Sequence, residues 1–574
     1  MPRANDAVEA MLVEYADLLS ILFEDPYKPR AYEKAARAVG GHAVDLEGKD
    51  LKAILQVPSV GKSIGEKIEE FLTTGTVAEL EQLREKIPPG VRDLMSIPGL
   101  GPKKAMVLYQ ELGVGSVDEL VAAIEEDRVA ALPRFGPKTQ ENIARGIGQL
   151  RSAGGRVRID LALDVAEGFL EALSSMRAVR RAATAGSLRR MRETIGDVDL
   201  LVASADGEPV MSAFVGHPSV ARVLAHGATK SSVVTELGLQ VDLRVVAEEA
   251  WGAAMIYFTG SKAHNIRIRE MAVRQGLKLS EYGLFEAESG KLLAAETEER
   301  VYGRLGLPYI EPTLREDRGE VEAALAGELP DVLTERQLRG DLHTHTNLTD
   351  GLASLEDMVG RAAALGYAYF AITDHAPNLY MQRMTEDKIL EQRRRIERLR
   401  SRYPKMTLLH GTELNIDPDG GVDWDDPFLA GFDLTVASVH SHFTQSRDQM
   451  TARVLRAIEH PYVDVIGHLT TRQIGRRSPV DLDLEAVFAA AARTGTALEV
   501  NSHPDRLDLC DEHILWARRH GVRFAVNTDA HAVPHLDHRR FGVGTAQRGW
   551  LTKDEVVNAW PLRKLRAFLA DRRP

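Results

Sequence analysis

The stretch Thr-Ala-Gly-Ser-Leu-Arg-Arg-Met-Arg-Glu-Thr-Ile-Gly-Asp-Val-Asp-Leu-Leu-Val, residues 184–202, decides the reading of the first half of the chain. Side chains along a strand alternate between two faces, so Asp197 and Asp199 share one face, and Leu200, Leu201 and Val202 continue as strand core. Two carboxylates on one face repel unless a cation lies between them, and oxygen-only donors suit a hard divalent ion, Mg2+. The Gly186-Ser187 turn offers backbone N–H groups and a hydroxyl for phosphate, and Arg189 and Arg190 offer positive charge. A third acid, Asp242, lies in another strand-like run, Leu-Gln-Val-Asp-Leu-Arg-Val-Val. Three acids around two metal ions suit activation of a 3′-hydroxyl and departure of pyrophosphate. An Asp-x-Asp pair alone is usually two exposed strand acids. The Gly-Ser turn, the arginines and the later strand acid outweigh that reading.

This pattern resembles the nucleotidyltransferase palm of the family X DNA polymerases, the group that includes DNA polymerase beta. The resemblance continues at Tyr257-Phe258-Thr259-Gly260-Ser261, where the family carries the same five residues. It implies a catalytic set of Asp197, Asp199 and Asp242 holding two Mg2+ ions. It also implies a nucleotide-binding set of Gly186, Ser187, Arg190, Gly196, Tyr257, Phe258, Gly260 and Asn265, with Arg269 against the template. In the family the Tyr-Phe pair packs on the incoming nucleotide and its backbone excludes a ribose 2′-hydroxyl. Arg244, Glu281 and Tyr282 match a polar set coupling palm to thumb. The chain departs at Ile195 (a triphosphate-binding serine in the family), at Lys262 (an aspartate) and at Leu239 and Gln240 (arginines in polymerase beta).

At 574 residues the chain needs several domains, and 44 % hydrophobic with 27 % charged residues is ordinary for a globular protein. The single cysteine, Cys510, excludes an internal disulfide and fits a reducing compartment. No apolar run approaches a membrane span and the first residues lack a signal-like apolar core, so a cytoplasmic, nucleoid-associated protein is expected. A net charge of −12 argues against polyanion binding by the whole surface. The charge is uneven, however: residues 177–192 hold six arginines, and 261–280 hold five Lys/Arg against Glu270 alone. Both stretches flank the carboxylates, where DNA phosphates would lie, although each taken singly is equally well a solvated helix face.

The first 150 residues read as helical with a recurring hairpin: Val57-Pro-Ser-Val-Gly-Lys-Ser-Ile-Gly, Ile97-Pro-Gly-Leu-Gly-Pro-Lys-Lys and Leu132-Pro-Arg-Phe-Gly-Pro-Lys. Proline ends one helix, a glycine turn follows, and a lysine sits in the first turn of the next helix. That arrangement leaves backbone N–H groups free for a DNA phosphate. The second copy resembles the helix-hairpin-helix motif most closely. Gly61, Gly99, Gly101, Lys103 and Gly136 are therefore candidates for a sequence-independent grip on DNA. Lys67 stands where polymerase beta carries the Schiff-base lysine of its lyase activity. Such a nucleophile needs a depressed pKa, which Lys62 would favour and Glu66, Glu69 and Glu70 would oppose. An exposed helix lysine is the expectation, with a lyase role as the alternative.

Fourteen of the eighteen histidines follow residue 340. Seven apolar runs end there in polar donors: Asp341-Leu-His-Thr-His345, Ala371-Ile-Thr-Asp-His375, Leu408-Leu-His-Gly-Thr-Glu413, Val436-Ala-Ser-Val-His440, Val465-Ile-Gly-His468, Leu498-Glu-Val-Asn501 and Val526-Asn-Thr-Asp-Ala-His531. Helix-like segments separate them. Strand–helix alternation with donors at strand C-termini marks a parallel barrel with its site at the top face, here of seven strands. Imidazoles beside Asp350, Glu413 and Asp529 favour Zn2+, Mn2+ or Fe2+ over Mg2+. The pattern resembles the polymerase-and-histidinol-phosphatase (PHP) domain. His343, His345, Asp350, His375, Glu413, His440, His468, Asp529 and His531 stand at its nine ligand positions. The resemblance implies up to three Mn2+ or Zn2+ ions and metal-dependent phosphoester hydrolysis. His410, His442, His460 and His503 are among those left over, and of these His442 and His503 are candidates for phosphate contact.

The expected fold is multidomain α+β and α/β. It comprises an N-terminal lyase-like helical domain (1–78), a fingers-like helical domain (79–150), a palm (151–250), a thumb (251–316), a polar, partly helical linker (317–336) and a (β/α)7 PHP barrel (337–574). The expected activity is template-directed filling of short gaps from dNTPs in DNA repair, on gapped or nicked duplex, by a monomer. The barrel would trim 3′ ends as a 3′–5′ exonuclease, with abasic-site cleavage open to it as well. A template-independent terminal transferase, or a DNA-binding scaffold carrying a small-molecule phosphatase barrel, are the alternatives.

Overall fold

The computed structural model describes residues 4–22, 27–40, 46–57, 59–87, 91, 94, 97, 100–133, 135–136, 138–141, 143–144, 147, 156–379 and 384–573. Short amphipathic helices cannot bury an apolar face alone. The N-terminal helices, from Ala4–Leu22 through Lys62–Thr74 and Pro102–Leu112 to Val117–Glu125, therefore pool theirs. Leu12, Tyr15, Ile68, Leu83, Leu108, Leu120 and Phe135 belong to one core, which runs across the expected boundary at residue 78. The two helical segments share an interior.

The palm is a five-stranded sheet in the order Val179–Thr184, Asp197–Ser204, Gln240–Val246, Lys230–Thr235, Val220–His226. The second and third of these run parallel and the other pairs antiparallel. Leu200, Val202 and Leu243 point from the sheet into a core shared with Phe169 of helix Ile159–Ser174 and Phe214 of helix Gly207–Val215. The thumb follows as helices Trp251–Thr259 and Lys262–Arg274 and a three-stranded antiparallel sheet. The segment expected as a linker folds onto this thumb through its helix, and Leu333 near its end joins the barrel core. Helix Glu320–Ala326 buries Val321 and Ala324 in the thumb core, and Glu320 meets His264 at 2.6 Å with both side chains fully buried. Its polar sequence reads as a solvated connector because the partner of Glu320 lies 56 residues away.

The C-terminal unit is a seven-stranded all-parallel sheet in sequential order, from Gly340–Asp341 to Phe524–Asn527, nearly closed on itself. A parallel bridge between Thr344 and Ala530 joins its ends. Asn558 spans the seam below, donating to the carbonyls of Gly340 and Val526. Barrel and palm are packed on each other. Leu507 and Phe541 of the barrel belong to the palm core, and a Cβ on Gly544 would stand 2.6 Å from the Met191 side chain, so only glycine permits this approach. Ion pairs Arg472–Glu193 (2.6 Å) and Arg540–Glu167 (3.1 Å) flank that contact. Among the described residues no helix is long and apolar enough to cross a membrane.

Candidate active sites

The palm carboxylates sit on paired strands. Parallel pairing sets Asp199 directly beside Asp242, with Asp197 two residues earlier on the same strand. Asp197 is exposed, while Asp199 and Asp242 are half-buried. Burial, then the charges of Asp197 and Asp242, push the Asp199 carboxyl up to about 7. This is negative charge that a cation would relieve. Asp242 already has a cation of its own: Lys230 Nζ lies 3.1 Å from it, and Gln240 donates at 2.9 Å. Gly186 holds φ +58, and a Cβ there would fall 2.0 Å from Asp199 Oδ2, so the turn and the carboxylate fit only with glycine. Hard oxygen donors with unbalanced charge fit Mg2+.

Ser187 lies in the short helix Gly186–Arg189, and Gly196 lies against the Arg156 guanidinium. The two arginines expected to offer charge to phosphate are engaged within the protein. Arg189 pairs with Glu298 and Arg190 pairs with Glu316 at 3.0 Å, while Arg190 also donates to the Thr259 carbonyl. Arg190 nevertheless remains beside the nucleotide-selection segment, because a Cβ on Gly260 would meet its Nη1 at 3.2 Å. Tyr257 and Phe258 end helix Trp251–Thr259, and Gly260 caps it at φ 70. Arg269 stacks over Tyr257 and Arg244 over Phe258. Asn265 donates to the Tyr257 carbonyl at 2.7 Å, and its own Oδ1 is buried without a partner. Tyr282, expected to join Arg244 and Glu281 in coupling palm to thumb, is 67 % exposed.

In the helical region Gly61 and Gly101 are N-caps, of Lys62–Thr74 and Pro102–Leu112, and no side chain caps either helix. Ser59, in the place of the second copy's glycine, adopts φ 65, the conformation that glycine takes without strain. Gly136 holds φ 66. Gly99 and the side chain of Lys103 lie outside the described residues. Lys67 departs from the exposed helix lysine expected. Its side chain is 12 % exposed, 2.8 Å from Glu79 and over the Tyr15 ring. Burial alone would lower its pKa, but the Glu79 hydrogen bond and charge and the neighbouring Tyr32 raise it. The ammonium is stabilised, the opposite of what a Schiff-base nucleophile needs.

The barrel assembles its nine expected donors at the C-terminal strand ends. His345, Asp350, His375 and His531 form one group whose ligand atoms lie within 4.8 Å of one another; His343, His345 and Asp529 form a second, and His375, Glu413 and His440 a third. His468 joins through Glu413 at 3.2 Å. Three overlapping groups fit a cluster of up to three ions. Six of the nine side chains are buried and Asp350, His440 and His531 are half-buried, yet His343 Nε2, both nitrogens of His345, Asp350 Oδ1 and His468 Nδ1 make no hydrogen bond. Unpartnered donors converging in a largely buried pocket fit transition-metal ions. Burial alone would raise Asp350, Glu413 and Asp529, but the facing imidazoles hold all three well below the carboxylate range. Burial likewise opposes charge on His343 and His375, yet the carboxylates raise both. Cation binding would displace those protons.

Sequence reasoning missed Glu499 and Asn415, and read Asn501 only as a donor at a strand end, whereas all three orient these ligands. Glu499 meets His343 Nδ1 at 2.8 Å, Asn415 meets His440 Nδ1 at 2.7 Å, and Asn501 donates to Asp529 at 3.1 Å. A glutamate within the apolar run Leu498-Glu-Val500 was the available signal, since a charged side chain in a buried strand needs a partner. His535 and His538, which were not singled out, face His503 beside this nest.

Comparison with known proteins follows this division. The family model for the DNA polymerase beta thumb matches residues 254–316, and that for the PHP domain matches 341–503. A helix-hairpin-helix domain matches 3–77 and a SAM-like helix-hairpin-helix tandem matches 91–148. The PHP match ends before Asp529 and His531, which the fold returns to the other seven donors. The "DNA polymerase/3'-5' exonuclease PolX" of Bacillus subtilis is 36 % identical over 562 residues, covering 97 % of this chain and 98 % of that protein. DNA polymerase lambda of Rattus norvegicus is 25 % identical over 325 residues, 51 % of this chain and 53 % of that protein. A probable phosphatase of Acetivibrio thermocellus is 29 % identical over 230 residues, 38 % of this chain and 86 % of that protein.

Proposed function

This chain belongs to the family X DNA polymerases that carry a PHP domain, and we propose that it fills short gaps in DNA from dNTPs and trims 3′ ends in the same repair reaction. The observation that carries the reading is the presence in one chain of two complete donor sets of different chemistry. One is carboxylate-only, on paired palm strands; the other is imidazole-rich, at the barrel mouth.

In the palm, Asp197, Asp199 and Asp242 would hold a pair of Mg2+ ions, whose charge would neutralise the phosphates during in-line attack of the primer 3′-oxygen on the α-phosphate. The Gly186-Ser187 turn presents backbone N–H groups toward the triphosphate. Tyr257, Phe258 and Gly260 wall the sugar, so deoxynucleotides are preferred. Arg190 is held beside Gly260 by Glu316 and supports that wall rather than roaming as a free phosphate ligand. The hairpin N-caps at Gly61 and Gly101 hold DNA phosphates without reading sequence. In the barrel, the nine donors would hold Mn2+ or Zn2+, which would supply Lewis acidity for phosphodiester hydrolysis. Glu499, Asn415 and Asn501 fix the orientations of His343, His440 and Asp529. The place of work is the cytoplasm, on gapped or nicked duplex.

A 5′-labelled primer in a gapped duplex, incubated with Mg2+ or Mn2+ with and without dNTPs, tests both halves. Gap-length extension with dNTPs and 3′ shortening without them are expected. Extension that ignores the template would replace the polymerase reading with terminal transfer. Hydrolysis confined to small phosphate monoesters would remove the DNA-end role of the barrel.

A further inference from the structure

Beside the nine-donor nest lies a second histidine cluster that the proposed chemistry does not use. His503 follows the sixth barrel strand, and His535 and His538 lie on the short helical segment Val533–His538 after the seventh. The ring centroids are 5.3 Å apart for His503–His535, 5.1 Å for His503–His538 and 4.9 Å for His535–His538. One ring nitrogen from each lies within 4.8 Å of the others. A tetrahedral zinc site with nitrogen ligands places its imidazole centroids about 5 Å apart.

Neutral imidazoles can hydrogen-bond to one another through one N–H and one acceptor nitrogen, but this group leaves a nitrogen without a partner. His538 Nδ1 is buried with no hydrogen-bond partner. His503 Nδ1 is 2.5 Å from Asp505 Oδ1, the carboxylate–imidazole arrangement that orients a metal-binding histidine and leaves its other nitrogen for the ion.

We propose that His503, His535 and His538 form an additional transition-metal site, separate from the nine-donor nest, that takes one Zn2+-class ion and ties Val533–His538 to the loop after the sixth strand. Neutral nitrogen donors with a single orienting carboxylate select Zn2+, Co2+ or Ni2+ over Mg2+ or Ca2+. The site would brace two neighbours. The backbone N–H of His531, a nest ligand, points at His535 Nδ1 at 3.4 Å, and Phe541, in edge contact range of His538, belongs to the palm core.

The full chain, stripped with a chelator and reloaded with Co2+, tests this. Wild type is expected to retain one more equivalent of Co2+ after gel filtration than His538→Gln or His503→Gln, with a matching loss of visible Co2+ absorption. Equal stoichiometry and spectra in wild type and either folded variant would overturn the site, and would leave His503 with at most a phosphate contact. Because His538→Gln alters a buried position and can misfold, zinc-edge anomalous diffraction from wild-type crystals soaked in Zn2+ decides independently. A peak between the three rings supports the proposal, and none there refutes it.

Discussion

The palm and the barrel both gather acids for divalent cations, but they reach readiness in opposite ways. The palm spreads three carboxylates over two strands at a half-open surface and leaves Asp199 protonatable near neutrality. Lys230 sits at Asp242 where a metal would compete with it. The palm carboxylates are not among the compact donor groups found in the described residues, all of which lie in the barrel. There, most of the side chains are buried, interlocked and supported by Glu499, Asn415 and Asn501. The difference teaches that the proposed palm site would be completed by substrate phosphates, which bring their own oxygens to a divalent ion, whereas the barrel donors are held in place by the protein's own hydrogen bonds.

The sharpest way to break this contrast is a reciprocal pair of variants. Asp199→Ala should lower dNTP incorporation by at least about 10³-fold while 3′ shortening continues, and His345→Ala or Asp529→Ala should do the reverse. Loss of both activities in any one of them, measured on one gapped substrate, would show a single site. Chelation comes next. Removing ions that bind the folded barrel at about a thousand times their Kd should cost about 4 kcal/mol and lower its melting temperature by roughly 10 °C. Melting of the chelated Asp199→Ala chain, compared with chelated wild type, should show no further loss. An unchanged melt on chelating the wild type would contradict a metal-filled cage.

Coupling between the two regions runs through Arg548, which is almost fully buried and bonded to Glu316, Asp511 and the Arg190 carbonyl. Arg548→Met should destabilise the chain by about 3 kcal/mol, because Glu316 and Asp511 lose a shared cation. It should also raise the KM for dNTPs more than it changes kcat, since Arg190 and Gly260 lose their backing. Denaturant unfolding and single-gap kinetics measure the two effects, and an unchanged KM would confine the network to stability. The smallest effect concerns Lys230, whose side chain is 42 % exposed, so its hold on Asp242 is screened. Lys230→Met should reduce the Mg2+ concentration giving half-maximal incorporation by roughly two- to fivefold. A requirement that stays put or rises would mean that Lys230 does not compete with the ion.

Much of both sites is legible in linear order because their donors come from strand ends. Period-two alternation puts Asp197 and Asp199 on one face, and apolar runs ending in histidine announce the barrel without any knowledge of its closure. Residues that act through another residue left a weaker trace: Glu499 reads as one acid in an apolar run, and Asn415 as an ordinary strand end. Arg189 and Arg190 read as free charge, because Glu298 and Glu316, which neutralise them, lie more than a hundred residues along the chain.

Local pattern by itself therefore determined the donor chemistry of each region, the helical hairpins, the parallel barrel and the class of ion each site suits. These follow from side-chain periodicity and donor type, which are properties of neighbouring residues. Tertiary structure alone decided which charges are spent within the protein, that helix Glu320–Ala326 packs on the thumb while Leu333 joins the barrel core, and that barrel and palm share Phe541 and Leu507 in one core. It alone brought His503 to His535 and His538. Such pairings join positions far apart in sequence, and burial and charge neutralisation at that range are set by how whole elements pack.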